Sequence, residues 1–350
     1  MDITPIIDPL NAPQREAVTA PAGHVLVLAG AGSGKTRVLV HRVAWLVAVE
    51  RVSPFGIYAV TFTNKAAGEM RARIEQLLDV PAGGMWVGTF HGLAHRLLRM
   101  HWQEAGLVQG FQILDSDDQL RLVKRVVREA GIDEARWPPR PFQWYINARK
   151  EEGVRPHQID PGHDPVARTM LTVYAAYEEA LARAGAVDFA ELLLRAHELL
   201  RGNAGLLAHY RERFRHLLVD EFQDTNAIQY AWLRLLAGDS SPLFAVGDDD
   251  QSIYGWRGAK VGNIHRFAGD FTGVRTVRLE QNYRSTGTIL GAANALIARN
   301  RERLGKQLWT DRGDGEPIGR FRAFSYRRQV SRRTAETGWL PQKGKSAWMA

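Results

Sequence analysis

One octapeptide, Ala29-Gly-Ala-Gly-Ser-Gly-Lys-Thr36, constrains the fold of this chain more than any other feature. It follows a short apolar run, Val25–Ala29, and precedes a segment of helical period, Arg37–Val49. A strand that turns directly into a helix puts these residues to use. Gly30, Gly32 and Gly34, with the small Ala29, Ala31 and Ser33, let backbone N–H groups face a bound anion, and the helix N-terminus favours negative charge there. Lys35 then reaches β- and γ-phosphates, and the Thr36 hydroxyl is placed to ligate Mg²⁺. Ala29 stands where the commonest form of such a loop has glycine. A plain glycine-rich turn would have no need of Gly-Lys-Thr after a strand.

The rest of the chain fits that start. Apolar runs bounded by turn residues recur at Ile57–Phe62, Met85–Val87, His216–Val219, Leu243–Val246 and Val274–Leu279, with longer helical segments between them. Short continuous apolar runs separated by helices are what a parallel sheet covered on both faces requires. The expected fold is therefore α/β, a parallel sheet flanked by helices. Residues 109–185 differ: Gln119–Ala130 and Val166–Ala184 have helical period and no strand is evident. Trp137-Pro-Pro-Arg-Pro must stop a helix within that stretch. It reads as an all-helical insertion. No internal repeat is present.

Composition adds bounds and little else. The chain has 350 residues and a net charge of +8, of which +5 sits in residues 325–350. The body is thus only mildly basic, so binding to nucleic acid has to be argued from motifs. Residues 325–350 follow neither period and read as a disordered basic tail. The sequence contains no cysteine, which excludes disulfides and thiolate metal sites and fits a reducing cytoplasm. Residues 1–14 show no signal-peptide pattern, and no apolar stretch is long enough to span a bilayer, so no membrane partner is expected. His91 and His95 stand four apart, a spacing that can bind zinc, but no third ligand lies nearby and a metal site is not expected there.

A second motif completes the nucleotide chemistry. Leu217-Leu-Val-Asp-Glu-Phe-Gln-Asp224 is a buried strand ending in acids. Asp220 would sit near Mg²⁺, and Glu221 would face the γ-phosphate and accept a proton from the attacking water.

Longer motifs then make a family resemblance specific. Asp220-Glu-Phe-Gln-Asp-Thr-Asn226 and Ala245-Val-Gly-Asp-Asp-Asp-Gln-Ser-Ile-Tyr-Gly-Trp-Arg-Gly-Ala259 resemble the UvrD/Rep/PcrA family of superfamily-one DNA helicases. Leu10-Asn-Ala-Pro-Gln14, Val60-Thr-Phe-Thr-Asn-Lys-Ala-Ala67, Gly88-Thr-Phe-His91 and Glu280-Gln-Asn-Tyr-Arg-Ser285 extend the match over roughly residues 8–324. The resemblance implies ATP and Mg²⁺ as cofactors, with single-stranded DNA and 3′-tailed duplex DNA as partners, beside repair or replication proteins of unknown identity. It assigns Gln14 to the adenine edge, with Arg37 and Tyr283 flanking the nucleoside. Gln251 would sense the γ-phosphate and Arg284 would approach it from a second lobe. Phe62, Asn64, Thr89 and His91 would line the DNA path, and Tyr254, Trp256 and Arg257 would form a stacking platform with a cation beside it. Such a platform suits a motor, because base–aromatic stacking tolerates any sequence. The Asp248–Asp250 run beside it makes little sense as core.

The implied organisation is a first RecA-like lobe over 1–108 and 186–278, the helical insertion over 109–185, the start of a second RecA-like lobe over 279–324, and the tail over 325–350. The two later helicase motifs of the family have no match, so the expected molecule is an ATP-dependent 3′→5′ DNA helicase of UvrD type in truncated form. The alternatives are an ATP- and single-stranded-DNA-binding module that hydrolyses little and unwinds nothing, and, less favoured, the front end of a helicase–nuclease. No Asp/Glu/Lys nuclease cluster follows residue 300.

Overall fold

A computed structural model describes residues 2–238, 241–253, 255, 258–260, 262–300 and 303–319. The expected basic tail therefore lies outside the described residues. At the centre is a six-stranded sheet. Its strands, in chain order, are β1 (Val25–Ala29), β2 (Ile57–Thr61) and β3 (Trp86–Thr89), then β6 (His216–Val219), β7 (Leu243–Gly247) and β8 (Arg275–Leu279). A separate two-stranded ladder holds β4 (Gln112–Leu114) and β5 (Ala186–Asp188).

The spatial order of the large sheet is β3-β2-β6-β7-β1-β8, and every pairing in it is parallel. Strand β1 lies between β7 and β8, with Val27 opposite Val246 on one side and Val277 on the other. All five residues of β1, β2 and β7 are buried. Alternate residues serve opposite faces, as the pleat demands. Leu26, Leu28, Tyr58, Val60, Leu217 and Val219 pack with helices Phe90–Met100, Phe189–Gly202 and Ala227–Ala237. Val25, Val27, Ile57, Ala59, Leu218 and Val246 pack with helices Lys35–Ala48 and Asn64–Leu78. Two covered faces leave no room for polar alternation, which is why these strands read as unbroken apolar runs.

The helices between β4 and β5 have a core of their own. Helices Ser116–Glu129, Pro139–Glu151 and Pro165–Arg183 bring together Val123, Val127, Phe142, Ile146, Val173 and Tyr177. Two expectations need correction here. A strand does exist in this stretch: Gln112–Leu114 pairs in parallel with Ala186–Asp188. Three half-exposed residues are too few to display a period, and their partner is distant in sequence. The prolines also do not stop a helix but start one. The preceding helix ends at Glu129, and Pro139 opens the next, where a missing N–H costs nothing.

A buried ionic knot joins these helices to those on the large sheet. Lys150 Nζ, fully buried, lies 2.9 Å from both Asp188 Oδ2 and Glu191 Oε2. Tyr177 OH also donates to Asp188 Oδ2 at 2.8 Å. Arg155 forks onto Glu191 and Glu198. After β8 the chain turns into helix Gly287–Ile297, which buries only Leu290 and leaves Ile289 and Leu296 exposed. Among the described residues no helix is long and apolar enough to cross a membrane.

Candidate functional site

Because the sheet is parallel, the carboxyl ends of all its strands open on one edge, and each motif leaves the sheet there. The loop after β1 needs left-handed backbone at Gly32 (φ +68°) and Gly34 (φ +89°), conformations that favour glycine. Ser33 Oγ donates to Gly30 O at 2.7 Å, closing the turn, and Gly34 leads into helix Lys35–Ala48. A preceding helix braces the loop. Asn11 and Gln14 cap helix Ala12–Val18 reciprocally, and the buried Gln14 side chain donates from Nε2 to Ser33 O at 2.8 Å. Both ends of the Gln14 amide are thus committed to protein, one to the cap and one to the loop.

Strand β6 delivers the acids to the same place. Thr36 Oγ1 donates to Asp220 Oδ2 at 3.1 Å. Lys35 Nζ lies 3.1 Å from Glu221 Oε2 and donates to Gln251 Oε1 at 3.2 Å. Glu221 holds a left-handed backbone (φ +50°), a conformation that costs a residue with a Cβ about 1–3 kcal/mol and is kept where surrounding structure enforces it. That turn swings its carboxylate toward Lys35, where Gln223 Nε2 donates to it at 2.8 Å. Burial, reinforced by the Glu221 charge, pushes Asp220 up to about 6. Burial and the same charge push Asp224 up to about 6, and its Oδ1 is buried without a hydrogen-bond partner. The arrangement can hold a doubly charged cation between Thr36 and Asp220, and an anion at Lys35, with a base beside it.

The segment after β8 closes over the loop from the other side. Tyr283 N donates to Gly32 O at 3.0 Å, and Asn282 Nδ2 donates to Ala31 O at 2.5 Å. A side chain at Gly32 would meet Arg284 Cβ at 2.8 Å, so Arg284 leaves the backbone at the loop itself. Asn11 Nδ2 donates to Tyr283 OH at 2.7 Å. Arg37, on the helix after the loop, reaches back to Pro9 O at 3.4 Å.

The residues expected along a DNA path lie at the ends of β2 and β3. Asn64 is exposed at the start of helix Asn64–Leu78, and Phe62 packs edge-on against Phe90. Thr89 caps helix Phe90–Met100 by accepting from Gly92 N at 3.1 Å. His91 stands edge-on to Phe189, and burial pushes its pKa down to about 4, so it is neutral at neutral pH. His95 Nε2 accepts from Arg99. Tyr254, Trp256 and Arg257 lie outside the described residues.

Comparison with known proteins now fixes the family. Residues 10–272 match the model of the UvrD/REP helicase N-terminal domain. The chain belongs to the UvrD/REP helicase family. It is 65% identical over 325 residues to DNA helicase II of Escherichia coli K12, covering 93% of this chain and 45% of that protein. It is 56% identical to DNA helicase II of Haemophilus influenzae, over 93% of this chain and 45% of that protein. Against the ATP-dependent DNA helicase PcrA of Leuconostoc citreum, identity is 46% over 92% of this chain and 43% of that protein. The chain thus spans less than half the length of these UvrD/REP relatives.

Two further residues at the edge of this family member, Asn11 and Asn282, hold the site together. Asn11 was readable, since Asn-x-x-Gln before Ala-Pro is a helix-capping pattern. Asn282, which holds the loop at Ala31, carries no signal of its own. The Asp248–Asp250 run also needs correction: all three side chains are buried or nearly so, clasped by Lys306 and Arg303. Carboxylates look unfit for an interior until the paired cations, distant in sequence, are seen.

Proposed function

We propose that this chain binds ATP with Mg²⁺, hydrolyses it in response to single-stranded DNA, and serves as the nucleotide-binding motor lobe of a 3′→5′ DNA helicase acting on 3′-tailed duplexes. The observation that carries this reading is the pair of contacts between the helix after β1 and the turn after β6: Thr36 on Asp220, and Lys35 on Glu221. Neither pair serves the core, and both sit at the carboxyl edge of a parallel sheet, where α/β proteins bind ligands.

In this reading Ala29, Gly30, Ala31, Gly32, Ser33 and Gly34 cradle the phosphates, and Lys35 exchanges Glu221 and Gln251 for phosphate oxygens. Glu221, so released, takes the proton of the attacking water. Thr36 and Asp220 would hold Mg²⁺, and the buried, desolvated Asp220 suits a cation that supplies the missing positive charge. Held there, the ion would neutralise charge that develops on the phosphates. Arg284 adds a cation opposite Lys35, and Tyr283 and Arg37 flank the nucleoside. Gln14 fixes the loop by its hydrogen bond to Ser33 and reads adenine only by giving that bond up.

For DNA, Phe62, Asn64, Thr89 and His91 share the edge with the nucleotide residues. The N-termini of helices Asn64–Leu78 and Phe90–Met100 open there, where backbone N–H groups suit phosphate oxygens. Tyr254, Trp256 and Arg257 supply the stacking platform. We assign the first lobe to 1–108 and 186–278, the insertion to 109–185, and the start of the second lobe to 279–324. The cysteine-free composition suits the cytoplasm.

Steady-state ATP hydrolysis with and without single-stranded DNA tests the proposal. Turnover should rise with DNA, and Glu221→Gln should bind ATP normally while hydrolysis falls at least a hundredfold, as expected when a general base is lost. ATP binding without DNA-stimulated turnover in the parent chain would instead support a binding module.

A further inference from the structure

The Asp248–Asp250 run holds an internal cation. The three carboxylates lie within 4.8 Å of one another, the spacing of a metal cluster. Lys306 fills that place: its Nζ is 2.6 Å from Asp248 Oδ1, 2.5 Å from Asp249 Oδ1 and 2.9 Å from Asp250 Oδ2. An ammonium has three N–H donors, and here each carboxylate takes one. Arg303 forks onto Asp250 at 3.1 and 2.7 Å, and Leu304 N donates to the free oxygen of Asp249 at 2.7 Å. Lys306 is 6% exposed. Burial alone would draw its pKa down, but the surrounding aspartates outweigh that and hold it above the usual lysine range.

Asp248 faces two ways. Its Oδ2 accepts from Gln251 Nε2, and Gln251 Oε1 in turn accepts from Lys35. Its backbone N–H donates to Gln223 Oε1 at 2.9 Å, and Gln223 Nε2 holds Glu221. A continuous polar path therefore runs from Lys306, beyond β8, to both Lys35 and Glu221. The path is well suited to fixing side-chain direction, because each member is buried or half-buried and paired on both sides.

We propose that Lys306 is a positioning residue for hydrolysis: by clasping Asp248–Asp250 it holds Gln251 and Gln223 at the angles that present them to Lys35 and Glu221, and so ties the start of the second lobe to the nucleotide site. This rests on the ATP-hydrolysis reading for its kinetic consequence, while the clasp itself does not.

The test uses the full chain. Lys306→Met should lower DNA-stimulated kcat at least tenfold with KM for ATP within twofold. It should also speed backbone hydrogen exchange across 303–309 at least tenfold while leaving 25–29 and 216–219 protected. Lys306→Arg, which keeps a cation, should recover most of both. A kcat within twofold of the parent and unaltered exchange in Lys306→Met would overturn the proposal. Exchange rising across the whole sheet, with ATP affinity and kcat lost together and no recovery in Lys306→Arg, would also overturn it, since that is a loss of fold. If the parent hydrolyses no ATP, the proposed function fails and the exchange arm decides the clasp alone: opening of 303–309 in Lys306→Met, reversed by Lys306→Arg, supports it, and unchanged exchange sinks it.

Discussion

At the scale of single residues, the site carries a cost that a ligand would relieve. Asp220 is 2% exposed and held up to about 6 by burial and by Glu221. In the unfolded chain it titrates near its ordinary value of 3.8. Between these values the folded protein binds the extra proton, so this group's penalty grows as pH rises through the window and is complete above about pH 6. Two pKa units correspond to about 3 kcal/mol at most. Asp220→Asn keeps an acceptor for Thr36 and removes the charge. In nucleotide-free protein it should raise stability at pH 7 by about 1–3 kcal/mol, and by roughly half as much at pH 5. Urea unfolding of parent and variant at both pH values measures the difference. A gain that does not shrink toward pH 5 would mean that the charge is not the cause.

At the scale of elements, the join between helix Pro139–Glu151 and helix Phe189–Gly202 rests on buried charge. Lys150 is fully buried against Asp188 and Glu191, and Asp188 also caps helix Phe189–Gly202 through Glu191 N at 2.7 Å. Removing one partner of such a cluster strands the others, which costs about 3–5 kcal/mol. Lys150→Met should therefore lose about that much in thermal or urea unfolding, whereas Lys124→Met, on a half-exposed pair with Glu134, should change stability by less than about 1 kcal/mol. Equal effects would show that the knot is solvated in solution. The contrast also marks what could be read beforehand. The helices Ser116–Glu129 and Pro165–Arg183 were visible as period, because one face of each is apolar. Lys150, in the last turn of Pro139–Glu151, gave no hint that it was interior, since its partners Glu178, Asp188 and Glu191 lie far along the sequence.

At the scale of the whole molecule, the proposed DNA path should behave as a backbone-binding groove. Affinity for single-stranded DNA should fall linearly in a log–log plot against salt, as counterions are released. Trp256→Ala should cost about 1–3 kcal/mol of that affinity with little dependence on sequence. ATP affinity without DNA should stay within twofold. Fluorescence anisotropy at several salt concentrations reads all three, and an unaltered DNA affinity in a folded variant would return Trp256 to a packing role.

What the sequence determined by itself is local. Gly32, Gly34, Lys35 and Thr36 lie in one stretch, so the loop they form could be read there, and the strand β1 could be bounded to the residue because full burial leaves an unbroken apolar run. The meeting of Thr36 with Asp220 followed from adjacency of another kind: both motifs end parallel strands, whose carboxyl ends must share an edge. Tertiary structure alone decided the rest. That Asn282 holds Ala31, that Gln14 spends its amide on Ser33, and that Lys306 lies within the Asp248–Asp250 run all depend on side chains brought together across long intervals of chain. A charged residue in sequence looks the same whether water or three carboxylates surround it. Only folding chooses, because the cost of burying a charge is set by the partners that arrive with it.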